Sequence, residues 1–329
     1  MTQPAARPQV RRLQLDAEEA QAVRQITAAC ARSFASPESV DFLQEVTVIG
    51  HELPRRIRRE VDRARLDEAL HALVVYGHEV DDGALGRTPA HWREAANEPS
   101  RKYGFTLMLY ASLLGEAIAW ETQQDGRLIT DVLPVCGLEF STISASSRLE
   151  LGWHTEDAFS PYRADYVGLY CLRNPDDVAT TIGSLSASAL DEVSRCALLE
   201  PRFRFRPDPS HSQTRGDERG VLRPIVGGSW ERPTLCIDKD YTRPDDGDDV
   251  ARHAFARACH AIAQNLYEII LKPGDLCFMD NQNVVHGRRS FTARHDGRDR
   301  WLKRVNVTRD IRRSGHVREG MTRRVVKGP

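Results

Sequence analysis

The hydrophobic period of the chain changes part-way along it, and that change limits the fold more than any other feature. Through Leu114, apolar residues recur every three or four positions. Asp16 to Phe34 reads as an amphipathic helix through Ala20, Val23, Ile26 and Cys30. Arg55 to Leu73 reads as a second, with Ile57, Val61, Leu66, Leu70 and Leu73 as its apolar face, and Phe105 to Leu114 as a third. After that the apolar runs are short, β-branched or aromatic, and bounded by Gly, Pro, Asn or Asp. They fall at Arg127 to Val135, Asp165 to Leu172, Thr180 to Leu185, Thr234 to Ile237, Asp275 to Met279 and Leu302 to Val307. One further helical stretch, Asp249 to Leu266, interrupts them. Strands that succeed one another without a helix between each pair do not build a parallel βαβ sheet. The pattern predicts a mainly β fold with flanking α-helices, a sandwich or jelly roll with the helices packed outside.

No stretch has the composition of a linker, so residues 1–329 are read as one domain with an N-terminal helical part at about 16–75. The segment Pro201 to Trp230, rich in Arg, Pro, Gly and Ser, has little periodicity. Long irregular segments of this kind commonly serve as lids or binding loops. Pro207 to Gly228 is expected to close over a bound substrate.

Composition excludes several function classes. Hydrophobic residues at 40% supply a core, and a formal net charge of −1 gives no global basic field toward nucleic acid or membrane. The stretch from His286 to Pro329 does carry fourteen Lys or Arg against four acids, but no aromatic-studded basic motif accompanies them. Seven scattered Cys without a C-x-x-C pair argue against a disulfide framework or a thiolate zinc site, and for a reducing compartment. Met1 to Ala20 has no apolar core of a signal peptide, and Glu116 interrupts the longest apolar stretch. A cytoplasmic location follows as the expectation, with no nucleic-acid or membrane partner.

Four segments carry chemistry. In Trp153-His-Thr-Glu-Asp-Ala-Phe159, a His-x-Glu on an extended strand sets His154 and Glu156 on one face, able to close on one metal. Alone this pair is weak evidence, since eleven His among 47 acids produce one or two such pairs by chance. His286, in Val284-Val-His-Gly-Arg288, strengthens it. Two His and one carboxylate leave three positions open on a metal, the facial triad of non-haem iron(II) oxygenases. Arg300 and Arg304 follow in Asp299-Arg-Trp-Leu-Lys-Arg304, an even number of residues apart and so on one side of a strand. An Arg there offers a bidentate grip on a dicarboxylate. Asp238 and Asp240, read as i and i+2 on a strand, place two carboxylates about 7 Å apart on one face. That pair suits a planar guanidinium, the alternative being a solvated acidic turn. The other histidines, among them His211 and His295, have no ligand spacing and read as surface or core-satisfied.

In combination these motifs, with Tyr170-Cys-Leu-Arg-Asn-Pro-Asp176, resemble the iron(II)- and 2-oxoglutarate-dependent dioxygenases of the clavaminate synthase-like group. Within it the chain is most similar to the hydroxylases of free L-arginine (the viomycin-pathway type) and L-asparagine. The likeness runs from about Gly104 to Arg313; the first hundred residues match no motif. It implies a double-stranded β-helix core, and Fe(2+), 2-oxoglutarate and O2 as cofactor and cosubstrates. It implies His154, Glu156 and His286 as iron ligands and Arg300 as the grip on the distal carboxylate of 2-oxoglutarate. A Thr commonly assists; Thr180 and Thr181 are both candidates, Thr181 preferred. Arg304, Gln123, Ser144 and Glu156 would hold the α-carboxylate and amine of the substrate, and Asp238 and Asp240 its guanidinium. The implied activity is hydroxylation of C3 or C4 of free L-arginine in specialised (antibiotic) biosynthesis. The alternatives are another polar amino acid, asparagine or a cyclic guanidine, or a non-catalytic jelly-roll binding protein.

Overall fold

All eight residues of the strand Tyr166–Arg173 are buried, which requires cover on both faces. In a strand, alternate side chains leave opposite faces. Tyr166, Tyr170 and Leu172 pack into one hydrophobic cluster with helix residues such as Val23, Phe42, Ile57 and Leu107, while Val167, Leu169 and Cys171 pack into another with Ile182, Ile269 and Val284. The neighbouring strands obey the same division: Leu73, Val75, Leu276, Phe278 and Val305 face the helices, and Ala72, Val74, Cys277, Met279 and Leu302 face away. The computed structural model, which describes residues 7–211 and 221–328, thus has helices on one face of a large mixed sheet and a smaller sheet on the other.

The large sheet has nine strands among the described residues, with Leu276–Asp280, Tyr166–Arg173 and Trp301–Thr308 adjacent at its centre and antiparallel. The smaller sheet orders Tyr267–Ile269, Thr180–Gly183, Val285–Arg288 and Leu151–His154, all antiparallel. Mainly β with flanking helices is therefore the observed class. No described helix is long and apolar enough to cross a membrane.

The helices follow their local signals. Ala17–Ser33 begins at a capping box in which Asp16 accepts from the Glu19 amide and Glu19 reaches back to the Asp16 amide. Glu98–Ser112 starts at Asn97, begins before the expected Phe105 to Leu114 stretch and ends two residues short of it; Asp249–Gln264 starts at Asp248, whose side chain accepts from the Ala251 amide. The reading of one helix from Arg55 to Leu73 is corrected. The helix ends at Leu66, where Asp67 turns extended and its carboxylate accepts from the Ala69 amide. Leu73 belongs instead to the strand Ala72–Tyr76. A helix at Val40–Gly50, which the period reading did not mark, buries Phe42, Leu43 and Val46.

The segment 201–230 is also corrected: it is not one irregular loop. Phe203–Phe205 pairs with Val221–Arg223 and Thr242–Pro244, and Val226–Ser229 forms a hairpin with Arg232–Leu235. Residues 212–220, the middle of the expected lid, lie outside the described residues.

Candidate functional site

Strand pairing brings the metal-type residues together. Leu151–His154 and Val285–Arg288 are neighbours in the smaller sheet, with His154 and His286 directly opposite and their rings 4.6 Å apart. The chain turns immediately after His154, so Glu156 lies just past the strand rather than on it. The turn swings its carboxylate back between the rings. Glu156 Oε2 is 3.5 Å from His154 Nε2 and 3.2 Å from His286 Nε2. The His154 Nδ1 donates to the Gly152 carbonyl at 2.8 Å, which orients the ring so that Nε2 points toward Glu156. Glu156 Oε2 and His286 Nδ1 are buried with no hydrogen-bond partner among the described residues.

The three side chains shift one another's protonation. Burial works against a charged Glu156, but Arg304 and the two imidazoles hold its carboxyl well below the usual range. Burial likewise disfavours protonated His154, yet Glu156 and Asp238 raise it to about 9; His286 is pushed down by burial and by His154.

Arg304, on the central strand Trp301–Thr308 of the large sheet, and Arg300, which immediately precedes that strand rather than lying on it, line the same cavity of about 360 Å³. Their situations differ. Arg304 is engaged: Nη1 is 2.7 Å from Glu156 Oε1, Nε donates to Thr130 Oγ1 at 3.2 Å and Nη2 to Gln123 Oε1 at 3.2 Å. Arg300 is 5% exposed, with no hydrogen bond at Nε and only a long contact, 3.4 Å, from Nη2 to Thr180 Oγ1. Burial without an acid beside it pulls Arg300 down to about 10. Arg288 lies nearby, lowered to about 9 by burial and by Arg300, and is held by the carbonyls of Ser146 and Leu149.

Of the two threonines, Thr180 lines the cavity and touches Arg300, whereas Thr181 does not line it. It is thus Thr180, and not the preferred Thr181, that stands beside Arg300 in the cavity. Gln123 and Ser144 both line the cavity, as do Asp238 and Asp240. The two acids are not on a strand. Arg232–Leu235 ends before them, and Asp238–Tyr241 is a turn in which Asp238 Oδ1 accepts the amides of Asp240 at 2.7 Å and Tyr241 at 2.9 Å. Asp238 is joined to the ligand strand by a bridge to His154. Burial raises its carboxyl above the usual range. Asp240 is exposed, and Gly152 leaves room for it: a Cβ there would lie 2.5 Å from Asp240 Oδ2.

The chain is 39% identical to an enduracididine beta-hydroxylase of Streptomyces hygroscopicus, over 95% of its own length and 99% of that protein. It is 35% identical to an L-ornithine/L-arginine 3-hydroxylase of Catenulispora acidiphila, over 96% and 99%. Residues 199–306 match the taurine catabolism dioxygenase TauD, TfdA family. The crystal structure of the non-heme iron oxygenase OrfP with Fe and alpha-ketoglutaric acid superposes with a TM-score of 0.90 at 38% identity, covering 96% of this chain and 99% of that one. The chain belongs to the iron(II)/2-oxoglutarate-dependent dioxygenases.

Other buried groups of this dioxygenase site were not singled out from its sequence. Asp157 sits at positive φ (53°) beside Glu156; its Oδ2 accepts from Trp120 Nε1 at 2.6 Å and Asn306 Nδ2 at 3.3 Å. Its Oδ1 lies 3.3 Å from His211 Nε2, and His211 also reaches Thr122 Oγ1 and Gln123 Nε2. His211 is thus a core-satisfied histidine, as one of the two expected readings has it, but one that buttresses Gln123 and through it Arg304. The adjacent Asp in W-H-T-E-D-A-F is the only sequence signal for this network, and its partner is 54 residues away.

Proposed function

We propose that this chain hydroxylates an unactivated carbon, C3 or C4, of free L-arginine or a close guanidino analogue, using iron(II), 2-oxoglutarate and O2. The observation that carries the substrate is the bridge between Asp238 and His154, which sets an acidic turn against the metal-type triad in one cavity. The triad passes a test of fit. Two imidazole nitrogens and a carboxylate oxygen lie within 4.8 Å of one another, and the carboxylate oxygen is buried without a hydrogen bond. A cation supplies the missing partner. His154, Glu156 and His286 would hold iron(II), which with 2-oxoglutarate and O2 supplies the oxidising power for C–H hydroxylation.

The protein's own share is binding and orientation. Arg300, assisted by Thr180, takes the distal carboxylate of 2-oxoglutarate: a buried guanidinium with unused donors is completed by a dianion, and Arg288 adds positive potential. Arg304 has a dual task. It fixes Glu156 for the metal and, with Gln123 and Ser144, offers donors to the substrate α-carboxylate, while Glu156 lies within reach of the amine. At the other end Asp238 Oδ2 and Asp240 face the guanidinium. Holding the substrate at both ends presents one carbon to the metal. The packing of the two sheets around this cavity supports a double-stranded β-helix core within a single domain spanning residues 1–329.

A cyclic guanidine amino acid is the second reading, favoured by the 39% identity to the enduracididine beta-hydroxylase of Streptomyces hygroscopicus. A mass-spectrometric screen of the common amino acids and enduracididine with iron(II), ascorbate and 2-oxoglutarate decides. Arginine gaining one or two oxygens with release of succinate is the expected result. Oxygen gained by enduracididine alone transfers the assignment to the second reading, and none gained by any guanidino amino acid overturns both.

A further inference from the structure

A second set of metal-competent donors lies away from the triad. Cys136, Glu139 and His295 have a sulfur, a carboxylate oxygen and a ring nitrogen all within 4.8 Å of one another. Cys136 and Glu139 stand three residues apart across a turn closed by Leu138 N donating to the Val135 carbonyl at 3.1 Å, with Gly137 at φ 87°. Glu139 is fixed from both ends. Its carbonyl accepts the amides of Ser147 and Arg148 at 3.2 and 2.9 Å, and its Oε1 accepts the Gly137 amide at 3.1 Å and lies 3.4 Å from His295 Nε2.

His295 occupies the left-handed region, φ 53°, which non-glycine residues seldom adopt. Its turn is held by Arg294 N donating to Asp299 Oδ1 at 2.8 Å and Arg298 N to Asp296 Oδ1 at 2.8 Å. A cleft of about 410 Å³ opens beside Cys136 and His295, leaving access and space for a water as fourth ligand. Cys136 forms no disulfide and is exposed.

We propose that Cys136, Glu139 and His295 form a second metal site, for zinc or a similarly thiophilic divalent ion, distinct from the iron triad. Mixed sulfur, nitrogen and oxygen donors select such ions over magnesium or calcium. A tetrahedral ion with these ligands needs its donor atoms roughly 3.5 Å apart, so rotation of two exposed side chains completes the site. The ion would clip the 133–150 loop, which carries Ser144, to the turn five residues before Arg300, and so tie together two walls of the catalytic cavity.

Cobalt(II) titrated into the full chain tests this, because a thiolate–cobalt charge-transfer band cannot arise from a site of two His and one Glu. One equivalent of cobalt should produce the near-ultraviolet band in the parent protein and in His286→Ala, and zinc should displace it. Cys136→Ser should abolish it, Cys196→Ser should retain it, and Glu139→Gln or His295→Ala should weaken binding by at least about tenfold. No band in the parent protein, or a band that survives Cys136→Ser, overturns the site.

Discussion

Arg300 is a cation placed where a cation alone is costly: buried, short of hydrogen bonds, and lowered by desolvation to about 10. Such a group is stable in company with an anion that the chain does not itself provide. Arg300→Ala should therefore raise the apparent KM for 2-oxoglutarate by tens-fold, the equivalent of about 1.5–3 kcal/mol for a charge-assisted hydrogen bond. An unchanged KM would assign the grip elsewhere. Thr180→Ala should raise the same constant only a few-fold, and Thr181→Ala not at all; steady-state kinetics on the pair measure this. The triad was legible because His154 and Glu156 are close in sequence and His286 carries a second motif. The choice between Thr180 and Thr181 was not, because side chains alternate along a strand and one residue of register reverses the answer. The Asp157–His211 contact was illegible for another reason: only the folded chain brings together residues so far apart.

The turn Asp238–Tyr241 shows what an element-level error costs. Spacing alone suggested a strand with two equivalent acids, but Asp238 spends one oxygen on the amides of Asp240 and Tyr241. The two acids are therefore unequal. Asp238→Ala removes both a charge and the turn's own fastening, and should lower kcat/KM for arginine by the equivalent of about 2–5 kcal/mol. Asp240→Ala, at an exposed position, should cost less. Asp238→Asn keeps an acceptor for the amides and isolates the charge; if it behaves as the parent on arginine, the acid has no part in recognition. Succinate release without hydroxylated product should persist in all three, since none touches the ring nitrogens or carboxylate assigned to the metal. Helices were read more reliably where a cap marked the start, as at Asp16 and Asp248. The Val40–Gly50 helix has no side-chain cap hydrogen bond and a β-branched composition, and the Leu66 terminus was hidden by leucines that continue the period into a strand.

At the scale of the whole molecule, burying both faces of the large sheet also buries groups that titrate. His78 packs edge-on against Tyr110 and Tyr170, its Nε2 without a partner, and burial lowers its pKa to about 4. The folded protein resists a proton that the unfolded chain accepts below about 6.5. Stability from this residue is complete above pH 6.5 and is lost as pH falls toward 4, by about 3 kcal/mol across that window. Thermal unfolding at pH 7 and pH 5 should show about 2 kcal/mol of this loss, and His78→Phe should shrink it; an unchanged difference between the two pH values would place the acid sensitivity in other groups. The strand Trp301–Thr308 has a further consequence. It is hydrogen-bonded along both edges, to Tyr166–Arg173 on one side and to Ile129–Val132 and Glu116–Trp120 on the other. Arg304, assigned to the carboxylate common to every amino acid, is thus mounted on the least yielding piece of the fold, and Arg300, assigned to the cosubstrate, is the residue that leads into it. The acids assigned to the variable part hang on a turn joined to the metal-ligand strand by one bridge. A lineage built this way can exchange one amino acid for another by rewriting a few turn residues, leaving its oxidation machinery inherited intact.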